Sequence, residues 1–282
     1  MSNQKIIVVT DSTAYIPAKA LDGLDIPVIP LWLIWGDERF RDGVDIDPQT
    51  FYRRLQGSKI FPTTSQPSAG EFADFFRQAS DGADGVVGIF ISSKLSGTVP
   101  NAQAALAQLP DLNIRVVDSF STSMDLGFCV LTAARAAAAG KSLDEVVAVA
   151  EAMRDRAHVF FTVDTLEYLH RGGRIGGARR LLGTALNIKP LLQIEDGLVE
   201  PLAQVRTKRK AVARMLEIAG EQLGGKKMAE AAILDVNAPE EGDSIARQTK
   251  EQFGLSKVYR TQVSPVIGAH VGPGTVGIAF YT

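Results

Sequence analysis

Cysteine is nearly absent. Cys129 stands alone in 282 residues, so no disulfide can close within the chain, and a reducing compartment fits. Its setting, the apolar run GFCVLTAARAAAAG, reads as that of a buried structural thiol. Histidine is scarce too, at three residues, and no H-x-x-x-H or C-x-x-C pair occurs, so neither a metal site nor thiol chemistry is expected. An excess of one charge is also missing. Thirty Lys and Arg against 32 Asp and Glu give a net charge of −2, so no global field draws the chain to nucleic acid or acidic lipid, and any anion site must be local. The arginine loops lack interleaved aromatics, which again speaks against nucleic acid. No run approaches about 18 apolar residues, and MSNQK leads straight into IIVVT without the longer apolar segment of a signal peptide. The expectation is a cytoplasmic protein without stable membrane insertion, compatible with transient membrane contact.

Catalytic signatures are missing in the same way. No serine sits in G-x-S-x-G, and no G-x-G-x-x-G occurs. The GKS at Gly140 to Ser142 resembles the end of a phosphate loop. The first glycine of that motif would fall at Arg135, however, and a helix rather than a strand precedes it. It reads instead as a helix junction, with Gly140 as C-cap and Ser142 to Glu145 as a capping box.

What is present is alternation. KIIVVTDST, IPVIPLWLIW, GVVGIFISS and NIRVVDS read as strands, and SAGEFADFFRQAS and TVPNAQAALAQL as helices, which implies an α/β domain with a largely parallel sheet. After a boundary near Arg156, HVFFTV, the helical TLEYLHRGG and a hairpin in LLQIEDGLVEPLAQV with Asp196-Gly197 at its turn open a second α/β domain. Two helix–strand pairs, a Gly-rich turn and the strand TVGIAFYT complete it. The expected division is 1–156 and 157–282.

Four stretches could carry chemistry. In ISSKLSGTVPNAQ a strand ends and a helix begins near Val99 or Asn101. Ser96, Thr98 and the backbone at Gly97 suit a carboxylate or phosphate, although plain N-capping uses the same groups. In PTTSQPS, Ser68 suits an N-cap, and Thr64 and Ser65 supply hydroxyls beyond that need. If both loops lie at the carboxyl ends or helix starts of one sheet, they converge where such sheets bind ligands. GAHVGPGTVG places His270 between glycines, on a backbone able to approach a ligand closely, or simply in a satisfied turn. HRGGRIGGARR, with Arg171, Arg174, Arg179 and Arg180, is echoed by Arg206 to Lys210. These residues suit a phosphate, an acidic partner or a solvated face.

VVTDSTAYIP, TSQPS, ISSKLSGT, VDS, TLEYLHRGGRIG, LNIKPLL, DGLVEPLAQVRTKRKA and GAHVGPGTVG, in this order and nearly end to end, resemble the DegV family of bacterial fatty-acid-binding proteins. The resemblance implies one long-chain fatty acid held between two α/β domains, with no cofactor, no metal and no catalytic residue. It also implies a partner, a separate ATP-dependent kinase subunit that phosphorylates the bound acid for phospholipid metabolism. Carried over by position, the carboxylate contacts fall on Thr64, Ser65, Ser96, the Gly97 backbone and His270, with Arg174 and Arg206 facing phosphate or kinase. Where the family often has an aromatic after S-G-T, this chain has Val99 and Pro100.

A buried carboxylate is costly unless hydrogen-bonded, and hydroxyls with backbone amides meet that need without a fixed counter-charge. At about 0.8 kcal/mol per buried CH₂, roughly fourteen methylenes contribute some 11 kcal/mol before binding entropy is subtracted. The alternative is an enzyme acting on an acyl or phosphorylated small molecule, with Ser96 as nucleophile and His270 as base.

Overall fold

The structure is a computed structural model that describes residues 4–183 and 188–282. Four β-branched runs form a wholly parallel sheet, with Ile6–Asp11 and Gly85–Phe90 at its centre and Val28–Ile29 and Ile114–Asp118 at its edges. The centre strands are buried on both faces, as continuous apolar strands in a parallel sheet should be. One face carries the helices Ala69–Ala79 and Thr98–Leu106, which pack on each other. The other carries Ser123–Ala138 and Leu143–Arg154. The expected capping box of Ser142 with Glu145 forms, and Ser68, expected as an N-cap, completes a capping box with Glu71.

From Ala157 the chain builds a mixed sheet in the order Leu198–Val205, Lys189–Glu195, Ala157–Thr162, Val276–Tyr281, Glu230–Asp235 and Val258–Gln262. It is antiparallel except between the last two strands. The Asp196-Gly197 turn joins its hairpin, with both residues at positive φ as a primed two-residue turn requires. Strand alternation sorts the sheet's faces. Phe160 packs with Met215 and Ile245 of the helices Lys208–Leu223 and Pro239–Phe253, while Val159 and Phe161 turn inward. The inner layer is the helix Ser123–Ala138, which touches both sheets and is buried nearly all round. Cys129 lies within it, and burial pushes its thiol well above the usual range, as suits a structural cysteine. No helix among the described residues is long and apolar enough to cross a membrane.

Several elements depart from expectation, among them IPVIPLWLIW, read as one strand but divided between Val28–Ile29 of the parallel sheet and Trp32–Trp35 of another. Thr63–Ser65, read as a loop, is a short strand pairing antiparallel with Trp32–Trp35, which also pairs with Glu38–Arg41. The TSQPS segment therefore arrives from a separate three-stranded sheet rather than from the parallel one. Pro48–Gly57 is a helix that the sequence reading passed over, capped by Asp47. The expected Gly-rich turn around His270 is instead the helix Pro265–Val271, capped by Ser264 and closed by Gly272 at φ 77. Of the quoted motif LNIKPLL, Leu186 and Asn187 lie outside the described residues.

Candidate functional site

Between the two sheets lies a cavity that opens to solvent. Its wall is mostly apolar, including Ile91, Leu95, Phe161, Ile194, Leu234 and Ile267. Set into that wall are Thr64, Ser65, Ser96, Arg174 and His270. Five of the expected site residues thus share one cavity. Gly97 sits beside it as the N-cap of the helix Thr98–Leu106, which begins one residue before the earliest start expected. Arg206 does not line it. That residue is exposed just after the strand Leu198–Val205.

Local packing brings these groups together. Register places Thr64 opposite Leu33, and its hydroxyl meets His270 Nε2 at 2.8 Å across 206 residues of chain. Asn101 Nδ2 donates to Pro67 O at 2.8 Å, tying the TSQPS segment to the start of the helix Thr98–Leu106. Gly97 leaves room for Gln66, whose Nε2 would lie 2.8 Å from a Cβ there. Gly172 is small for the same reason, since an added Cβ would stand 2.1 Å from His270 Nδ1. Arg174 bridges the two sides, with Nε donating to Leu95 O at 2.9 Å and Nη1 to Gly172 O at 2.8 Å. The cluster therefore includes a fixed positive charge beside its uncharged donors.

Electrostatics limit what the cluster can do. Burial first, and then the neighbouring guanidinium of Arg174, push the His270 imidazole down to about 4, so it is neutral at pH 7. A base that weak is poorly matched to proton abstraction at neutral pH, and its Nδ1 has no partner to orient the ring. Ser96, the nucleophile of the alternative reading, shares its hydroxyl with Thr98 at 2.8 Å, whereas His270 bonds Thr64. What the cluster offers is hydrogen-bond donation beside one guanidinium, set in a mostly apolar wall. Gln66, Thr122 and Ser123 also line the cavity and were not anticipated as site residues. Gln66 stood inside the quoted TSQPS segment. The hydroxyl-rich SFSTS before an apolar helix was the only signal for the other two.

The model of the family described as an uncharacterised protein, DegV family, matches residues 5–282. A DegV domain-containing protein of Streptomyces coelicolor is 42% identical over 278 residues, 98% of each chain. Two solved structures are similar throughout. A DegV family protein of Thermus thermophilus described for its fatty acid binding has a TM-score of 0.92 at 35% identity, over 99% of both chains. DegV of Bacillus subtilis, a fatty acid binding protein, has a TM-score of 0.90 at 32% identity, over 99% of this chain and all of the other.

Proposed function

The chain belongs to the DegV family, and from that premise we propose that it binds a single long-chain fatty acid in the cavity between its sheets, as a non-catalytic protein of the cytoplasm. The observation that carries this reading is the cavity's composition, a cluster of hydroxyls with His270 and Arg174 set in an otherwise apolar wall. In this reading the carboxylate accepts from Thr64, Ser65 and Ser96 and from the amide side of Gly97. His270 works through Thr64: with Nε2–H donating to Thr64 Oγ1, the threonine proton is turned toward the acid. The alkyl chain takes the apolar wall, where burial supplies the affinity. No cofactor is required beyond the lipid itself.

The acid is then presented to a separate ATP-dependent kinase subunit that phosphorylates the carboxylate. Arg174 near the head and exposed Arg206 face the phosphoryl group or the partner, since a guanidinium suits phosphate oxygens with paired, fixed hydrogen bonds. Mass spectrometry of the purified protein after denaturation tests the binding. A released, unmodified fatty acid at about one per chain is the expected result. A covalent acyl adduct would return the Ser96 enzyme reading, and a cavity that takes up no added fatty acid would refute lipid binding.

A further inference from the structure

Two hydroxyls in the same cavity belong to a different element from the head cluster, and no protein group satisfies either of them. Thr122 and Ser123 lie where the chain enters the helix Ser123–Ala138, with exposures of only 8% and 4%. Both line the cavity, and neither Thr122 Oγ1 nor Ser123 Oγ has a hydrogen-bond partner. Thr122 occupies the N-cap position without making the cap hydrogen bond that usually explains a threonine there. The neighbouring hydroxyls are engaged: Ser119 donates to Ser121 O at 3.2 Å, and Ser121 to Asp125 Oδ2 at 2.5 Å. Ser123 is also held at φ 55, a left-handed conformation that a non-glycine residue adopts at a cost.

We propose that Thr122 and Ser123 form a second polar subsite, which takes an uncharged oxygen substituent, a hydroxyl or a keto group, carried partway along the acyl chain. The proposal rests on the fatty-acid reading above. An unbranched hydrocarbon would leave both hydroxyls facing methylenes, whereas an oxygen there can accept from both and benefit from the positive end of a 16-residue helix. A second carboxylate is disfavoured, because Asp125 is buried in the first turn of that helix. A site built to hydrogen-bond an oxygen discriminates against the analogue that lacks it, so these two residues would set ligand choice without touching the head group.

The test is competition binding with octadecanoic acid and its monohydroxy isomers, the hydroxyl stepped along the middle of the chain. It is run on the native protein, on Thr122→Val, on Ser123→Ala and on the double variant. At least one isomer should bind the native protein about 5- to 10-fold more tightly than the parent acid, as one or two added hydrogen bonds allow. That advantage should vanish in the double variant while octadecanoic acid binds as well as before. The single variants carry the same comparison should the double variant fail to fold. Octadecanoic acid binding with no isomer preferred, or a preference that survives the substitutions, would overturn the subsite alone. Failure of every acid to bind would overturn the fatty-acid reading with it.

Discussion

At His270, burial and the Arg174 guanidinium favour the neutral imidazole, so folding carries a pH signature. The folded value of about 4 lies below the ordinary 6.5. The unfolded chain therefore takes up a proton first as pH falls, and the stability His270 contributes above pH 6.5 is lost between 6.5 and about 4. A carboxylate in the cluster should reverse part of that shift, because negative charge favours imidazolium. Titration of the His270 ring by NMR should give an apparent value near 4 without lipid and a higher one with it. Titration near 6.5 in the lipid-free protein would mean the ring is not buried beside Arg174. Ser96 offers a second check. Its replacement by Ala should weaken fatty-acid binding by roughly 1–3 kcal/mol, as when a buried charged acceptor loses a donor. Unchanged affinity in a folded variant would reduce Ser96 to a partner for Thr98.

Among the elements, the helix Ser123–Ala138 shows what apolar sequence can reveal and what it conceals. Its run of buried residues announced a core helix, yet nothing local said that Asp125 would be buried with it. Burial pushes the Asp125 carboxyl up to about 7, with Ser121 donating to it. Here the folded value exceeds the ordinary 3.8, so the contribution to stability is full below pH 3.8 and is lost as pH rises through about 7. Asp125→Asn should therefore gain on the native protein by roughly 2–4 kcal/mol between pH 4 and pH 8, read from denaturant unfolding at the two pH values. A pH-independent difference would show that this carboxyl is solvated. Other elements were legible because their signals were local, as with the Ser68 N-cap, the Ser142 capping box and the Asp196-Gly197 turn. The helix Pro48–Gly57 had local signals too, an Asp47 cap and Pro48 at its first position. The helix Pro265–Val271 likewise had Ser264-Pro265 to start it and Gly272-Pro273 to stop it, but the glycines around His270 read as a turn. Thr63–Ser65 could not have been found locally. A three-residue strand between prolines is fixed only by its register with Trp32–Ile34.

For the molecule as a whole, the cavity depends on contacts between distant segments, of which Thr64 to His270 is the clearest, and no periodicity encodes such a contact. The family resemblance named both residues, but the structure supplied the geometry that makes them one cluster and placed Arg174 beside them. The two arginines should accordingly behave differently. If the proposed kinase partnership holds, Arg206→Ala should leave fatty-acid binding near the native level and slow acyl phosphate formation, whereas Arg174→Ala should impair both, because its guanidinium braces Leu95 and Gly172 beside the hydroxyl cluster. Equal behaviour of the two variants in paired binding and phosphorylation assays would contradict that separation. The most direct measurement is a crystal structure of the protein with octadecanoic acid. The carboxylate should lie within hydrogen-bond distance of the Thr64 and Ser96 hydroxyls, with the chain running along Val159, Phe161 and Leu234 of the inner wall. A carboxylate found away from Thr64, Ser96 and His270, or a lipid bound outside this cavity, would contradict the head-site assignment outright.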